Sequence, residues 1–118
     1  MSHCLFCRIV RGELPAKKVY EDEEVLAFHD IHPAAPVHFM LIPKVHRDSL
    51  AHCFPEDAAL LGKMLMLATQ LAKEQGLVDG FRTVINTGTG GGGQEIYHLH
   101  IHVMGGLKSS ALTRSDDK

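Results

Sequence analysis

At 118 residues, 45% of them hydrophobic and 22% charged, the chain has the length of one domain and enough apolar content for a packed core. Twelve basic against 14 acidic side chains leave a formal charge of −2, without the basic stripe of a duplex-DNA binder. No apolar run reaches the ~18 residues of a membrane span, no signal-peptide core is visible, and three cysteines do not make a paired disulfide framework. A single domain over residues 1–118, cytoplasmic and bound to neither membrane nor nucleic acid, is therefore expected. The outlying count is nine histidines, against two tyrosines and no tryptophan.

In chain order, the apolar segment Cys4–Val10 predicts one or two helical turns, stopped by Gly12 and Pro15. Lys17–Tyr20 and Val25–His29 flank an acidic turn and predict a hairpin. Val37–Pro43 predicts a strand whose first residues lie near solvent. A long helix is expected over Phe54–Gln75: Pro55 suits a first helical position, Glu56 and Asp57 complement the N-terminal dipole, and Gly76 follows the last turn. Leu60, Met64, Leu67, Ala68 and Leu71 form one apolar stripe. Leu61, Leu65 and Ala72 widen it, either as a broad core face or as a second packing surface such as a dimer contact. Phe81–Asn86 and Ile96–Met104 predict two final strands, and the polar residues 107–118 a loosely held tail. Strands, helix, then strands imply an α+β fold with a mainly antiparallel sheet.

The most informative stretch is Tyr97–Met104 (YHLHIHVM). Two-residue periodicity puts His98, His100 and His102 on one face of a strand, with Leu99, Ile101 and Val103 on the core face. Neighbouring imidazoles would then stand roughly 7 Å apart. Such a row is compatible with an ordinary exposed face, with a metal site, or with nucleophilic catalysis at phosphorus by a neutral imidazole. The preceding run Gly88–Gly93 matches G-x-G-x-x-G, but a histidine-bearing strand follows instead of a helix, which rejects a dinucleotide fingerprint. A flexible connection or a backbone nest for an anion remains, with Gly93 the residue best placed to touch phosphate.

The pattern His98-Leu-His100-Ile-His102-Val resembles the signature of the histidine triad (HIT) superfamily of nucleotide hydrolases and transferases. The resemblance runs from Phe6 to Gly106. Phe28–Lys44, Asn86–Gln94 and Tyr97–Gly106 are similar to the Hint branch, the purine nucleoside phosphoramidate hydrolases. This likeness implies a five-stranded antiparallel sheet with one long and one short helix, dimerising through the long helix and a strand. It also implies that His100 attacks the α-phosphorus to form a nucleotidyl-histidine. His102 would contact phosphate and assist protonation of the leaving amine. His38 would hydrogen-bond within the triad that His98 opens. Asp30 would bind the ribose hydroxyls, and Leu5, Phe6, Phe28, His29 and Ile31 the base. Asn86, Gly93, Gln94 and the backbone of Glu95 fall at ribose and phosphate contacts. Some members carry Ser where Glu95 stands, so no side-chain relay is carried over there. His32 receives no role, and His3, His29 and His52 no catalytic one. The ligand expected is a purine nucleoside monophosphate or phosphoramidate. The alternatives are a dinucleoside polyphosphate hydrolase, a nucleotide-binding regulatory module, or a zinc hydrolase using the triad as ligands.

Cys4-Leu-Phe-Cys7 has a spacing that lets two thiolates bind one ion, and is equally compatible with two buried apolar thiols. Cys53 has no partner and is expected to be structural. Zinc-carrying relatives use two such cysteines, a histidine just past a strand end, and the first triad histidine. The resemblance thus implies a structural Zn2+ site at Cys4, Cys7, His46 and His98.

Overall fold

In the computed structural model, residues 3–106 are described; the polar segment 107–118 lies outside them. Cys4 caps a short helix, α1 (Leu5–Val10), its Sγ accepting the Cys7 N–H at 3.3 Å. The acidic turn forms because the Asp22 carboxylate accepts the N–H groups of Glu24 and Val25 at 2.8 and 2.9 Å. That turn joins β1 (Lys18–Glu21) to β2 (Val25–His29). β3 (Val37–Pro43) has the expected bounds. After two short 3-10 turns come α2 (Ala58–Glu74), β4 (Arg82–Val84) and β5 (Ile101–Gly105). The five strands form one antiparallel sheet in the order β1-β2-β3-β5-β4.

The long helix begins later than its sequence pattern implies. Residues Pro55–Asp57 form a 3-10 turn, closed by Asp57 N–H to the Phe54 carbonyl at 2.8 Å. The Asp57 carboxylate holds that turn by accepting from Phe54 N–H at 2.8 Å and from both Arg47 Nε and Nη2, at 2.8 and 3.1 Å. At the other end Gly76 adopts φ 89°, and Leu77 N–H returns to the Ala72 carbonyl at 2.9 Å, a left-handed stop that glycine accommodates without strain. The last strand is also shorter than Ile96–Met104. Residues 96–100 leave the ladder because Leu99 N–H donates to the Arg47 carbonyl at 2.7 Å instead of to a strand. β4, likewise, covers only the middle of Phe81–Asn86.

Both faces of the sheet are buried. Val25, Ala27, Phe39, Leu41, Ile101 and Val103 pack against Met64, Leu67, Ala68, Leu71 and Ala72 of α2. On the opposite face Leu26, Phe28, Met40 and Ile42 pack with Phe6 of α1. The two-residue period therefore sends His102, paired with Met40, to the α1 face. The widened helix stripe divides: Ala72 joins the core, whereas Leu65 is 47% exposed on the single chain. Lys63 ties the helix to the hairpin through Asp22 and Glu24, both at 2.8 Å. Leu71 is 1% exposed at the centre of the helix–sheet contact. Leu71→Ala is expected to lower the unfolding free energy by about 2–5 kcal/mol, read from urea denaturation.

Candidate active site

Three imidazoles on two adjacent strands and the segment before β5 define the site, and their backbone partners fix where each proton sits. Ala34 N–H donates to His38 Nδ1 at 3.0 Å, so neutral His38 carries its proton on Nε2. That nitrogen donates to His102 Nδ1 at 2.9 Å, which leaves the His102 proton on Nε2. Asp30 Oδ2 stands 3.4 Å from His38 Nε2, a second acceptor beside the same proton. His100 is ordered differently. Its Nδ1 lies 2.7 Å from the carbonyl oxygen of His98, which can only accept. Nδ1 therefore holds a proton, and in the neutral ring Nε2 keeps its lone pair. The rings of His100 and His102 are 4.9 Å apart at 75°, closer than simple strand spacing implies because His100 precedes the regular ladder.

His100 and His102 line a cavity of about 790 Å3. Leu5, Phe6, Phe28, His29, Asp30, Ile31, Asn86, Gly93 and Glu95 line it too. Phe6 makes a T-shaped contact with His100, with centroids 5.3 Å apart at 84°, and another with Phe28 at 5.4 Å. Three expected residues do not line this cavity: His38, which reaches it only through its bond to His102, Gln94 and His98. Gln94 is 5% exposed and spends its amide on the backbone, donating to Asp48 O at 2.6 Å and Ile96 O at 3.1 Å and accepting from Gly88 N–H at 2.8 Å. His98 is fully buried and turned away from His100 and His102; what it presents to His100 is its carbonyl. Burial, reinforced by charge on His100 and His38 and only partly opposed by Asp30, pushes the His102 pKa down to about 4. At neutral pH its ring is an uncharged Nε2–H donor.

The His98 ring belongs to a second cluster. Its Nε2–H donates to the Pro43 carbonyl at 2.8 Å, so the Nδ1 lone pair faces Cys4 Sγ at 3.4 Å and Cys7 Sγ at 3.6 Å. His46 repeats the arrangement: Nε2–H donates to Asp48 Oδ1 at 2.7 Å, and Nδ1 faces Cys7 Sγ at 3.2 Å. The four ligand atoms lie within 4.8 Å of one another and could hold one metal ion. Two thiols and two imidazoles, each ring held by an acceptor on its far nitrogen, are the donor set of a closed tetrahedral site. Burial pushes the His98 pKa down to about 4, which keeps its lone pair free, and burial followed by the Cys4 thiol raises that of Cys7. A bound divalent cation would reverse the second effect by stabilising the thiolate. Asp30, His38 and His102 are equally close together. There the Ala34 N–H forces a proton onto the line between the rings, so this group is a hydrogen-bonded relay rather than a converging set of lone pairs.

A family model described as scavenger mRNA decapping enzyme C-terminal binding matches residues 3–115. Protein HitA of Neisseria gonorrhoeae is 60% identical over 105 residues, covering 89% of this chain and 97% of that protein. The crystal structure of a HIT family hydrolase from Legionella pneumophila superposes with a TM-score of 0.84 at 47% identity, covering 88% of this chain and 93% of its own. A histidine triad protein from Clostridium difficile gives 0.87 at 42% identity, covering 92% and 94%. The chain belongs to the histidine triad family.

Several residues of this HIT chain that shape the site escape a reading of its sequence. Met40 lines the cavity. It sits two residues from His38 on the same strand face, so two-residue periodicity was a usable signal. Leu14, Pro15 and Ala16 also line the cavity, in a loop whose course no periodicity fixes. Ala34 acts through its N–H, a group every non-proline residue has, and so leaves no mark in residue type. The low pKa of His102 has a stability consequence. The unfolded ring takes a proton below about pH 6.5 and the folded ring only near 4, so this group's contribution is complete above 6.5 and lost as pH falls toward 4. Across that window the loss approaches about 1.4 kcal/mol per pH unit. Chemical denaturation at pH 7 and pH 4.5 is expected to show a smaller difference in stability for His102→Asn than for the wild type.

Proposed function

We propose that this HIT chain hydrolyses the phosphorus–nitrogen bond of purine nucleoside 5′-phosphoramidates through a nucleotidyl-His100 intermediate. The observation that carries this reading is the 2.7 Å hydrogen bond from His100 Nδ1–H to the His98 carbonyl. In the neutral ring this leaves the Nε2 lone pair free beside a cavity large enough for a nucleotide. Nε2 attacks the α-phosphorus as the bond to nitrogen breaks, and the electron pair departs with the amine, which takes up a proton. A proton on His102, favoured once the phosphoryl anion lies beside that ring, supplies it. In that state Asp30 Oδ2 offers His38 Nε2–H an alternative acceptor. Water then attacks the phosphorus of the adduct and passes a proton back to His102, the bond to Nε2 breaks with its electron pair returning to that nitrogen, and nucleoside monophosphate leaves with one water consumed.

In the same reading Asp30 holds the ribose, the base lies among Leu5, Phe6, Phe28, His29 and Ile31, and Asn86, Gly93 and the backbone of Glu95 border ribose and phosphate. The protein acts as a cytoplasmic single-domain homodimer, the exposed Leu65 side of α2 lying in the dimer contact. Cys4, Cys7, His46 and His98 hold a Zn2+ ion. With four protein ligands it leaves no open coordination position, so when bound it supplies structural cross-linking rather than activation of substrate. Around it, Pro43 and Asp48 orient the two imidazoles, and α1 is fastened to the start of the histidine segment.

Rapid quench with adenosine 5′-phosphoramidate labelled in the nucleotide is expected to trap a covalent adduct in wild type and none in His100→Ala. AMP binding without an adduct would instead identify a nucleotide-binding module, and an adduct formed only from a dinucleoside polyphosphate would reassign the leaving group. Elemental analysis is expected to give one zinc per chain, lost in the double substitution Cys4→Ser and Cys7→Ser. Short chelation should leave adduct formation intact while the protein remains folded. Immediate loss of chemistry on chelation would favour a zinc hydrolase.

A further inference from the structure

We propose that Gln94 is a positioning residue that preforms the glycine loop Gly88–Gly93 against the metal-ligand loop, and is not itself a ligand contact. Its side chain is nearly fully buried, and both ends of the amide are engaged. Nε2 donates to the carbonyls of Asp48 and Ile96, at 2.6 and 3.1 Å, and Oε1 accepts the Gly88 N–H at 2.8 Å. The Gln94 N–H returns to the Gly88 carbonyl at 3.1 Å, closing residues 88–94 into a ring. With both Nε2 hydrogens committed, the side chain has no donor left for a phosphate or a ribose hydroxyl.

The three segments joined by this one amide are the ones that need a fixed relation. Asp48 carries the carboxylate that orients His46. Ile96 enters the segment that holds His98 and His100. Gly88 opens the loop that ends at Gly93 on the cavity wall. The loop is folded tightly on itself, since a Cβ on Gly92 would lie 1.9 Å from the Thr87 carbonyl oxygen. Yet Gly88, Gly91 and Gly93 adopt positive φ, at 75°, 91° and 73°, and glycine-rich backbone has the most conformational freedom to lose. A buried, fully bonded amide offsets that freedom before any ligand arrives, so a bound phosphate meets backbone already in place.

The consequence for a nucleotide rests on the function proposed above; the ordering of the loop does not. The test compares wild type with Gln94→Met, which keeps the volume without the hydrogen bonds, and Gln94→Glu, which removes both donors. Titration with AMP is expected to show affinity reduced about tenfold or more in both variants through lost preorganisation. Turnover of adenosine 5′-phosphoramidate should fall mainly through a raised KM, with kcat little changed. Amide exchange is expected to accelerate across residues 88–94 while the β3–β5 ladder keeps its protection. Unchanged AMP affinity and KM in the folded variants, or a loss confined to kcat, would overturn the proposal. An independent arm needs no variant and no activity. In nucleotide-free wild type the amides of Gly88 and Gln94 should be protected, and exchange at the unprotected rate would refute the preformed loop. Protection there combined with no AMP binding by wild type would uphold the strut and overturn the nucleotide reading.

Discussion

The proposed chemistry depends on one short segment of backbone that does not join the sheet. Between Ile96 and His100 the chain leaves the ladder, and Leu99 N–H goes to the Arg47 carbonyl. The His98 carbonyl is thereby free to accept from the His100 ring. Had these residues continued β5, that carbonyl would have been engaged by a neighbouring strand. The His100 tautomer would then have been set by whatever else was near. A nucleophilic imidazole needs a defined lone pair, and for the proposed nucleophile His100 a main-chain acceptor supplies the definition. Arg47 is held in turn by Asp57, whose carboxylate also shortens the helix by fixing the turn before it. The late starts of α2 and of regular β5 are thus two results of one interaction network.

Two groups of histidines with similar spacing have opposite proton arrangements, and the difference lies in their backbone neighbours. His46 and His98 each donate outward from Nε2, to Asp48 and to the Pro43 carbonyl, so their Nδ1 lone pairs converge on two thiols. His38 accepts from Ala34 at Nδ1, so its other nitrogen must donate toward His102. The first arrangement suits a cation and the second a movable proton. Neither residue type nor spacing distinguishes them. His98 joins the two sites, its ring in one and its carbonyl in the other.

Much of this was legible in the sequence because alternation survives even where the ladder does not. Leu99, Ile101 and Val103 are buried as the period requires, and His100 and His102 reach the cavity. The bounds of β3 follow from its apolar run between Pro36 and Pro43. Failures fall where one side chain overrides local pattern. Residues 54–57 carry good helix-start signals, yet Asp57 is drawn into Arg47 and the Phe54 amide, giving a 3-10 turn. His98 shares the period of its neighbours, but the segment outside β5 lets its ring turn to Cys4 and Cys7. Gln94 lies beside Gly93 in sequence and was expected at the ligand with it. Only its partners, the sequence-distant Asp48 carbonyl and the nearby Ile96 carbonyl, explain why its amide points inward.

The opposing demands on the glycine loop explain why such a strut belongs next to it. Close approach of backbone N–H groups to an anion requires glycine, and a tight return past Thr87 excludes a Cβ at Gly92. The same composition leaves the loop with little side-chain packing of its own, because it contributes almost nothing to either buried cluster. Its order must therefore come from hydrogen bonds to elements that are themselves fixed. The Asp48 loop is fixed through His46 and the Arg47–Asp57 pair, and Ile96 packs against the α1-side core. An amide is suited to this junction because it both donates and accepts. A carboxylate would face two carbonyl oxygens without a proton to offer, and a hydrocarbon would leave the Gly88 N–H and both carbonyls without their partner.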